Sequence, residues 1–233
     1  MRIDKFLANM GVGSRTEVKN LLKKGLVTLN DEKIKSAKQQ INPEQDQVCV
    51  AGQQIDYEPY VYLMLNKPAG VISATEDDMH KTVIDLIEEY EHLDLFPVGR
   101  LDKDTEGLLL ITNDGDFNHR IMNPHKHVPK RYFAELAHPV SEGAIEKFEQ
   151  GIQLTEGLLQ PAQLEILMPN NHARVTICEG KYHQVKRMFH TIDNEVVYLK
   201  REAIGPLALD HRLKKGEYRK LTSSEINLFK NSE

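Results

Sequence analysis

The chain has 233 residues, of which 40% are hydrophobic, 28% charged and 6% aromatic, with no Trp and a formal net charge of −5. This composition is typical of one or two ordinary globular domains and excludes a disordered or fibrous class. The opening MRIDKFLANMG is charged and has no apolar run of the length that a signal peptide or a membrane helix needs, so we expect a cytoplasmic protein.

The charge is distributed unevenly along the chain. Residues 1–40 contain nine Lys or Arg against four Asp or Glu, a net charge of +5, whereas the remaining 193 residues carry −10. A basic first part joined to an acidic body favours contact between that first part and a polyanion. A basic helix face is often only solvated, so charge alone does not establish nucleic-acid binding.

Two short helices are predicted first. In residues 2–10 the apolar side chains fall at helical spacing, and Gly11 is placed where a helix ends. Ser14 and Glu17 form the S-x-x-E pattern of a capping box, and the apolar stripe that follows stops at Gly25. The second helix therefore leaves most of its basic residues on the open side.

A β-ribbon is predicted next. LVTLNDEKIK reads as a hairpin that turns at Asn30 and Asp31, and QVCVAGQQI supplies further short strands. DYEPY, residues 56–60, has the character of a linker. We therefore predict a small helix-plus-hairpin domain at 1–58 and a second domain at 59–233.

The second domain is predicted to be α+β with a mostly antiparallel mixed sheet. VYLMLNKPAGVIS reads as two strands around a Lys-Pro turn, and LLLIT, RYFAELAHPV, LQPAQLEILMP and HARVTICEG read as further strands. Helices are expected in KTVIDLIEEY, SEGAIEKFEQG and YHQVKRMFHTI. Strands interrupted by helices in this way indicate helices set against a sheet.

Residues 99–113, GRLDKDTEGLLLITN, place a very polar loop directly before a very apolar strand. An aspartate there, Asp102, would lie at the edge of the sheet, and a neighbouring cation would keep it ionised as a nucleophile or base. A loop aspartate more often only caps a turn. The aspartyl-phosphate motif, a glycosidase carboxylate pair and a phosphate-binding loop fit the spacing less well.

Two basic stretches follow. FNHRIMNPHKHVPKRYFAE, residues 117–135, reads as a basic loop with aromatic Tyr132, which suits single-stranded or flipped nucleotides. Its three histidines lack metal-ligand spacing. Elsewhere in the chain, Cys49 and Cys178 are interpreted as reduced structural thiols, so we predict no metal site. EGKYHQVKRMF, residues 179–189, places cations at a predicted helix start, although it could also be a basic surface helix.

Residues 1–30 resemble the S4 family of RNA-binding domains in the motifs R-I-D-K-F-L, S-R-T-E-V and G-L-V-T-L-N. The resemblance implies that the second helix and the hairpin face structured RNA. Most of these contacts would be with phosphates, which position the RNA rather than read its sequence. The implied RNA-binding residues are Arg2, Lys5, Arg15, Lys19, Lys23, Lys24 and Asn30.

The motifs G-R-L-D-K-D-T-E-G-L-L, K-R-Y and E-G-K-Y-H-Q-V-K-R-M-F follow in an order that resembles the pseudouridine synthases of the RsuA family, and the resemblance covers essentially the whole chain. PHKHVPKRY and EGKYHQVKRMF are most similar to the branch acting on small-subunit ribosomal RNA, where one uridine, conventionally position 516, is the target. The large-subunit branches tend to have Arg where this chain has Lys186.

The resemblance implies roles for particular residues. Asp102 would attack the ribose or abstract a proton from it, Lys186 would pair with Asp102, and Tyr132 would stack on the uracil. Arg100 could fill the gap that a flipped base leaves. The remaining implied RNA contacts are Lys67, Lys130, His183, Gln184 and Arg187.

The implied reaction isomerises uridine and needs no cofactor or metal. The implied partner is small-subunit ribosomal RNA or its assembly particle, not a membrane, and we expect a monomer. The alternative is a non-catalytic RNA-binding or ribosome-assembly protein that carries an S4 module. The distinguishing feature is the G-R-L-D loop, which a binding protein does not need.

Overall fold

The computed structural model describes residues 1–230, so the last three residues of the predicted second domain lie outside the described part. Contacts divide the chain into two compact units. The first unit is Met1–Val61 with Glu88–Leu95, and the second is Tyr62–Ile87 with the residues from Phe96 onward. The sequence analysis did not foresee that Glu88–Leu95 groups with the first unit, and the predicted boundary after residue 58 stays a prediction.

The first unit has two helices and a four-stranded sheet. The Ser14 capping box is present, since its hydroxyl accepts from the Glu17 N–H and the Glu17 carboxylate accepts from the Ser14 N–H. Apolar side chains of both helices, including Phe6 and Leu22, form the core with the first strand. The elements are α1 (Ile3–Asn9), α2 (Arg15–Lys23), β1 (Val27–Leu29), β2 (Glu32–Lys33), β3 (Val48–Val50) and β4 (Gln53–Gln54). The strand order in the sheet is β2-β1-β3-β4.

The second unit contains a nine-stranded sheet, a two-stranded ribbon and four helices among its described residues. In chain order these are β5 (Tyr62–Lys67), β6 (Phe96–Val98), β7 (Glu106–Thr112), α3 (Gly115–Met122), β8 (Lys130–Leu136), α4 (Gly143–Gln150), β9 (Gln153–Leu154), β10 (Gly157–Leu158), β11 (Gln163–Ile166), β12 (His172–Ile177), α5 (Gln184–His190), β13 (Val196–Ile204), β14 (Leu207–Ala208), β15 (Tyr218–Lys220) and α6 (Ser223–Asn227).

The main path of the large sheet is β11-β12-β8-β13-β7-β5-β15, with β14 beside β13 and β6 beside β7. Its pairings are antiparallel except between β13 and β7, which are parallel. The predicted α+β class with a mostly antiparallel mixed sheet is therefore confirmed. At the parallel contact Gly107 has φ +99, and a Cβ there would overlap the carbonyl oxygen of Arg201. Gly107, the second glycine of the G-R-L-D-K-D-T-E-G-L-L motif, therefore lets these two strands meet.

Residues 106–112 of β7 are buried without exception, which explains why this strand shows no polar alternation. Phe117 and Ile121 of α3 pack on one side of the sheet against Leu108 and Leu110, and Phe229 completes this cluster. The catalytic loop predicted at residues 99–105 thus leads into the most deeply buried strand of the unit.

Three local predictions were wrong. Residues 81–90 form only two 3-10 turns, Ile84–Leu86 and Glu88–Tyr90, because the backbones of Lys81 and Val83 bond to Ile72. The same pairing reduces the strand expected after the Lys-Pro turn to an isolated bridge at Ile72. The basic stretch 117–135 is helical in its first part, since the Asp114 side chain caps α3 by accepting from two backbone N–H groups.

No helix within residues 1–230 is long and apolar enough to span a membrane.

Candidate active site

The loop that carries Asp102 is fixed from beneath by Lys67, the last residue of β5. Lys67 is fully buried, and its ammonium donates to the carbonyl oxygens of Thr105 at 2.8 Å, Asp102 at 3.0 Å and Pro68 at 3.1 Å. A further carbonyl, that of Lys103, lies 3.3 Å away. Four carbonyls around one amine define the path of the loop backbone, so Lys67 positions Asp102.

A second clamp holds the start of the same loop. The hydroxyl of buried Ser73 donates to the carbonyl of Leu101 at 2.9 Å and accepts from its N–H at 3.0 Å. The Thr105 N–H closes the turn by donating to the Asp102 carbonyl at 3.1 Å. Residues 66–73, NKPAGVIS, therefore support the loop that carries Asp102. The sequence analysis did not predict this role for Ser73.

The carboxylate of Asp102 faces α5. Its Oδ2 lies 3.1 Å from the Lys186 ammonium, and its Oδ1 lies 3.5 Å from Nε2 of His183. About a quarter of the Asp102 side chain, 26%, is exposed to solvent. The carboxylate is therefore paired on one side and open to an incoming group on the other, and the contact expected between Asp102 and Lys186 is present.

Lys186 also binds Asp104, whose Oδ1 lies 2.6 Å from the ammonium. Burial by itself would lower the pKa of Lys186, but hydrogen bonds to Asp104 and Asp102 outweigh it and raise the pKa. Burial would raise the pKa of Asp104, and the hydrogen bond and charge of Lys186 outweigh it and lower the pKa. Lys186 thus stays protonated at neutral pH and presents a positive charge to both carboxylates.

An open cleft adjoins the Asp102 carboxylate, and its volume is about 430 Å³ when the space open to solvent is included. Tyr132 of β8 forms its wall together with apolar Ile177 and Leu199. The Tyr132 ring is 8% exposed, so one aromatic surface is held firmly inside the cleft. A planar apolar group could lie against this wall beside the carboxylate.

Thr105 is a cleft residue that sequence reasoning did not single out. It is 2% exposed, lines the cleft, and its hydroxyl has no hydrogen-bond partner among the described residues. Buried hydroxyls are normally paired, so Thr105 is an exception at the edge of the cleft. Its fixed position three residues after Asp102 is the signal that could have identified it.

Glu106 ends the polar loop and explains part of its composition. The side chain is buried, accepts from the Tyr198 hydroxyl at 2.7 Å and pairs with the Lys215 ammonium at 2.8 Å. Burial would raise the pKa of Glu106, but the hydrogen bonds from Lys215 and Tyr198 outweigh it and lower the pKa. The loop is polar because its acidic side chains each pair with a cation from elsewhere in the chain.

Three predicted RNA contacts are inconsistent with their burial and are corrected. Lys67 is fully enclosed by loop carbonyls. Lys130 is 7% exposed, and burial together with the nearby charge of Arg201 lowers its pKa. Gln184 is 4% exposed, accepts from the Lys181 N–H and donates to Glu179. A side chain in such a position supports the site from within the protein.

The other predicted RNA-binding residues of this unit differ in whether their side chains line the cleft or are already paired within the protein. Arg100 is exposed and lines the cleft, and His183 lines it beside Asp102. Arg187 forms a two-pronged ion pair with Glu156, with Nη1 2.6 Å from Oε1, and donates to the Tyr182 carbonyl. Its charge is therefore already paired, and Arg187 acts on the loop before α5.

The predicted RNA-binding residues of the first unit are all exposed; they are Arg2, Lys5, Arg15, Lys19, Lys23, Lys24 and Asn30. Arg2 pairs with Asp4 at 2.7 Å. The Asn30 amide donates to Asp46 at 3.0 Å and accepts from the Gln47 N–H at 2.9 Å, so it holds a neighbouring loop. Arg15, Lys19 and Lys23 follow one another at i, i+4 and i+8 along α2 and form a basic row.

Comparison with known proteins gives two family matches. The family described as RNA pseudouridylate synthase matches residues 61–191, and the S4 domain family matches residues 1–54.

Among residues 1–230, no group of three or more His, Cys, Asp or Glu side chains is arranged to hold a metal ion.

Individual relatives are similar over almost the whole chain. The uncharacterized RNA pseudouridine synthase YtzG of Bacillus subtilis is 48% identical, over 98% of each chain. Ribosomal small subunit pseudouridine synthase A of Escherichia coli K12 is 41% identical, over 97% of this chain and 98% of its own. A crystal structure of a pseudouridylate synthase superposes with a TM-score of 0.70 at 39% identity, covering 98% of this chain and 99% of that one.

Proposed function

This chain belongs to the RNA pseudouridylate synthase family, and from that premise we propose that it converts a single uridine of small-subunit ribosomal RNA into pseudouridine. The observation that carries the proposal is the Asp102 carboxylate, paired with Lys186 and open to a cleft walled by Tyr132. A charged carboxylate beside an aromatic wall suits attack on a nucleoside that has been flipped out of its strand.

The choice of RNA rests on relatives. Proteins named ribosomal small subunit pseudouridine synthase A are 41% and 42% identical to this chain over 97% of its length. The S4 match over residues 1–54 and the exposed basic row of α2 support binding to structured RNA. The proposed target is uridine 516, the position that the resemblance of EGKYHQVKRMF to the small-subunit branch implies.

The proposed reaction is an isomerisation in which one bond replaces another. The bond from ribose C1′ to uracil N1 breaks, the uracil rotates, and a bond from C1′ to C5 forms while the proton leaves C5 and N1 gains one. Asp102 either attacks C1′ or removes a proton from the ribose. Both routes require the carboxylate to face the nucleotide, and the Lys186 ammonium, 3.1 Å from Oδ2, helps to hold it in place.

The surrounding residues have supporting roles in this scheme. Tyr132 stacks on the uracil and holds it near Asp102 during rotation. Thr105 lines the same cleft. Lys67 keeps the Asp102 backbone in place, and Arg100 at the cleft edge occupies the gap left in the RNA.

The experiment is release of tritium from small-subunit ribosomal RNA labelled at uracil C5, with the product mapped to one nucleotide. Wild type should release tritium at one uridine, whereas Asp102→Asn should fold, bind RNA and release none. Asp104→Asn is the matched control, because it removes the same charge from the same Lys186 but leaves Asp102 intact. The proposal fails if wild type binds the RNA and releases no tritium, or if both variants are equally active.

Three further statements belong to this proposal. We propose that the substrate is ribosomal RNA alone or in an assembly particle, that the protein acts in the cytoplasm where ribosomes are assembled, and that it acts as a monomer. Light scattering of the purified protein with and without RNA tests the last statement, since a dimer would have twice the mass of 26.7 kDa.

A further inference from the structure

Tyr182 is an aromatic side chain that the proposed reaction does not use. It lies in the loop before α5 and is 76% exposed. Its ring stacks on the ring of His183, with centroids 3.8 Å apart and planes inclined by 17°. One face of Tyr182 is therefore covered by the histidine, while the other face is open to solvent.

This stack is directly connected to the active site. His183 lines the cleft, and its Nε2 lies 3.5 Å from Oδ1 of Asp102. His183 has a left-handed backbone, with φ +48 and ψ +35. A residue other than glycine holds this conformation only where its surroundings impose it, and such residues are concentrated at functional sites. The stack thus extends outward from the catalytic carboxylate.

The loop that carries the stack is held in place before RNA arrives. Arg187 donates to the Tyr182 carbonyl at 3.2 Å and is itself fixed by Glu156. Gln184 accepts from the Lys181 N–H at 2.8 Å and donates to Glu179 at 3.2 Å. A prearranged aromatic surface binds with a smaller loss of conformational entropy than a mobile side chain.

We propose that the open face of Tyr182 stacks on the base of a nucleotide next to the target uridine. This inference rests on the proposed function, because it takes the ligand to be the RNA strand around the flipped uridine. A base on Tyr182 would extend the His183–Tyr182 stack by one ring. The cleft ring Tyr132 is enclosed, so it is left for the uracil itself, and the two tyrosines hold successive parts of one strand.

Stacking of this kind has no strong base preference, because every base has a π face. It does require that the base be unpaired or turned out of its helix. Tyr182 therefore selects for an open strand beside the target, whereas the basic row of α2 contacts phosphates.

The test compares Tyr182→Leu, which keeps an apolar side chain without a ring, with Tyr182→Phe, which keeps the ring. RNA affinity should fall about 5- to 150-fold in Tyr182→Leu and stay within about 2-fold of wild type in Tyr182→Phe. The slope of affinity against salt should be unchanged in both, because no charge is removed. Leu158→Ala, at another exposed site of the same unit, is the control for loss of apolar surface.

A second measurement identifies the nucleotide. RNAs that lack a base at one position on either side of the target are bound to wild type and to Tyr182→Leu. At the position whose base stacks on Tyr182, base removal and Tyr182→Leu remove the same contact. Together they should therefore weaken binding by less than the sum of their separate effects. Additive losses at every position would overturn the proposal, as would wild-type affinity in Tyr182→Leu.

Two other outcomes have separate meanings. If Tyr182→Leu binds RNA normally but turns over slowly, Tyr182 positions His183 and does not contact RNA, which overturns the proposal. If wild type binds the RNA but releases no tritium, the proposed function fails. Failure of the stacking proposal alone appears as normal tritium release with unchanged affinity in Tyr182→Leu.

Discussion

The ammonium of Lys186 lies 3.1 Å from Oδ2 of Asp102, although 84 positions separate the two residues in the chain. The loop before β7 supplies the carboxylate, and the first turn of α5 supplies the cation. A second carboxylate, Asp104, shares the same ammonium at 2.6 Å. One positive charge therefore serves two negative charges, and its removal should affect the site more than the loss of an ordinary surface ion pair.

Lys186→Met tests this relationship. The substitution removes the shared counter-charge, so the pKa of Asp104, which Lys186 lowers, should rise, and Asp102 should lose the partner that holds it. We expect turnover at saturating RNA to fall at least about 100-fold, roughly 3 kcal/mol of transition-state stabilisation. Lys186→Arg should retain part of the activity because it keeps the charge. Turnover near the wild-type value in Lys186→Met would contradict an essential ion pair.

Lys67→Met tests the support beneath the loop. It removes the hydrogen bonds that the Lys67 ammonium donates to the carbonyls of Pro68, Asp102, Lys103 and Thr105. We expect the free energy of unfolding to fall by about 1–3 kcal/mol, and turnover to fall because Asp102 is no longer held. Urea unfolding and the tritium assay measure the two effects. Lys103→Met, on the exposed side of the same loop, is the matched control and should change neither.

The pH dependence of Lys67 is a separate prediction. Burial lowers its pKa to about 8, so raising the pH through about 8 removes one N–H donor from the loop. We expect turnover to decline above about pH 8 in wild type. An unfolded lysine has a pKa of about 10.4, so between about 8 and 10.4 the unfolded chain binds more protons than the folded one.

It follows that the contribution of Lys67 to the free energy of unfolding rises with pH across that window. Activity and stability should therefore change in opposite directions as the pH increases from 8 to 9.5. Rates and urea midpoints measured on the same samples show whether they do. In Lys67→Met both trends should be absent, and identical pH profiles in the two proteins would assign the titration to another group.

The basic row of α2 gives a prediction about salt. Each phosphate contact contributes about 0.7 to 0.9 to the slope of log affinity against log salt concentration. The double variant Lys19→Gln with Lys23→Gln should therefore lower that slope by about 1.5, weaken binding, and leave turnover at saturating RNA unchanged. Lys147→Gln on α4, which removes one positive charge outside α2, serves as the control and should leave the slope unchanged. An unchanged slope in the double variant would exclude these lysines from the RNA interface.

Arg219 gives a prediction about stability alone. Its guanidinium lies 2.8 Å from Asp210 and 2.8 Å from Glu225, and so connects β15 with α6 and with the segment after β14. A lysine cannot contact both carboxylates with a fork, so Arg219→Lys should lose about 1 kcal/mol. For a protein of this size that lowers Tm by about 2–4 °C. Turnover at 25 °C should not change, and a loss of activity would mean that Arg219 acts on the site.

The family match over residues 61–191 favours the synthase over the non-catalytic alternative considered from the sequence. The roles of individual residues remain proposals that the experiments above decide. The predicted pairing of Asp102 with Lys186 goes furthest beyond local sequence patterns, because its two residues come from separate motifs.

The sequence by itself determined the features that depend on neighbouring residues. The Ser14 capping box, the turn at Asn30 and Asp31 and the apolar strand β7 all follow from short-range spacing. In each case the interacting groups are within a few positions of one another, or the strand is apolar along its whole length. The motif order also identified the family, because the residues that build one site are fixed relative to one another.

Only the tertiary structure decided which polar residues are enclosed. Lys67 reads as a surface cation, yet the loop folds over it and turns it into a support. Residues 81–90 have helical spacing, yet pairing with Ile72 occupies their backbone. Tyr182 is predicted as the start of a helix, yet it lies in the loop before α5 with its ring against that of His183. Burial and long-range pairing depend on segments far apart in the chain, and periodicity along the chain contains no record of which segments will meet.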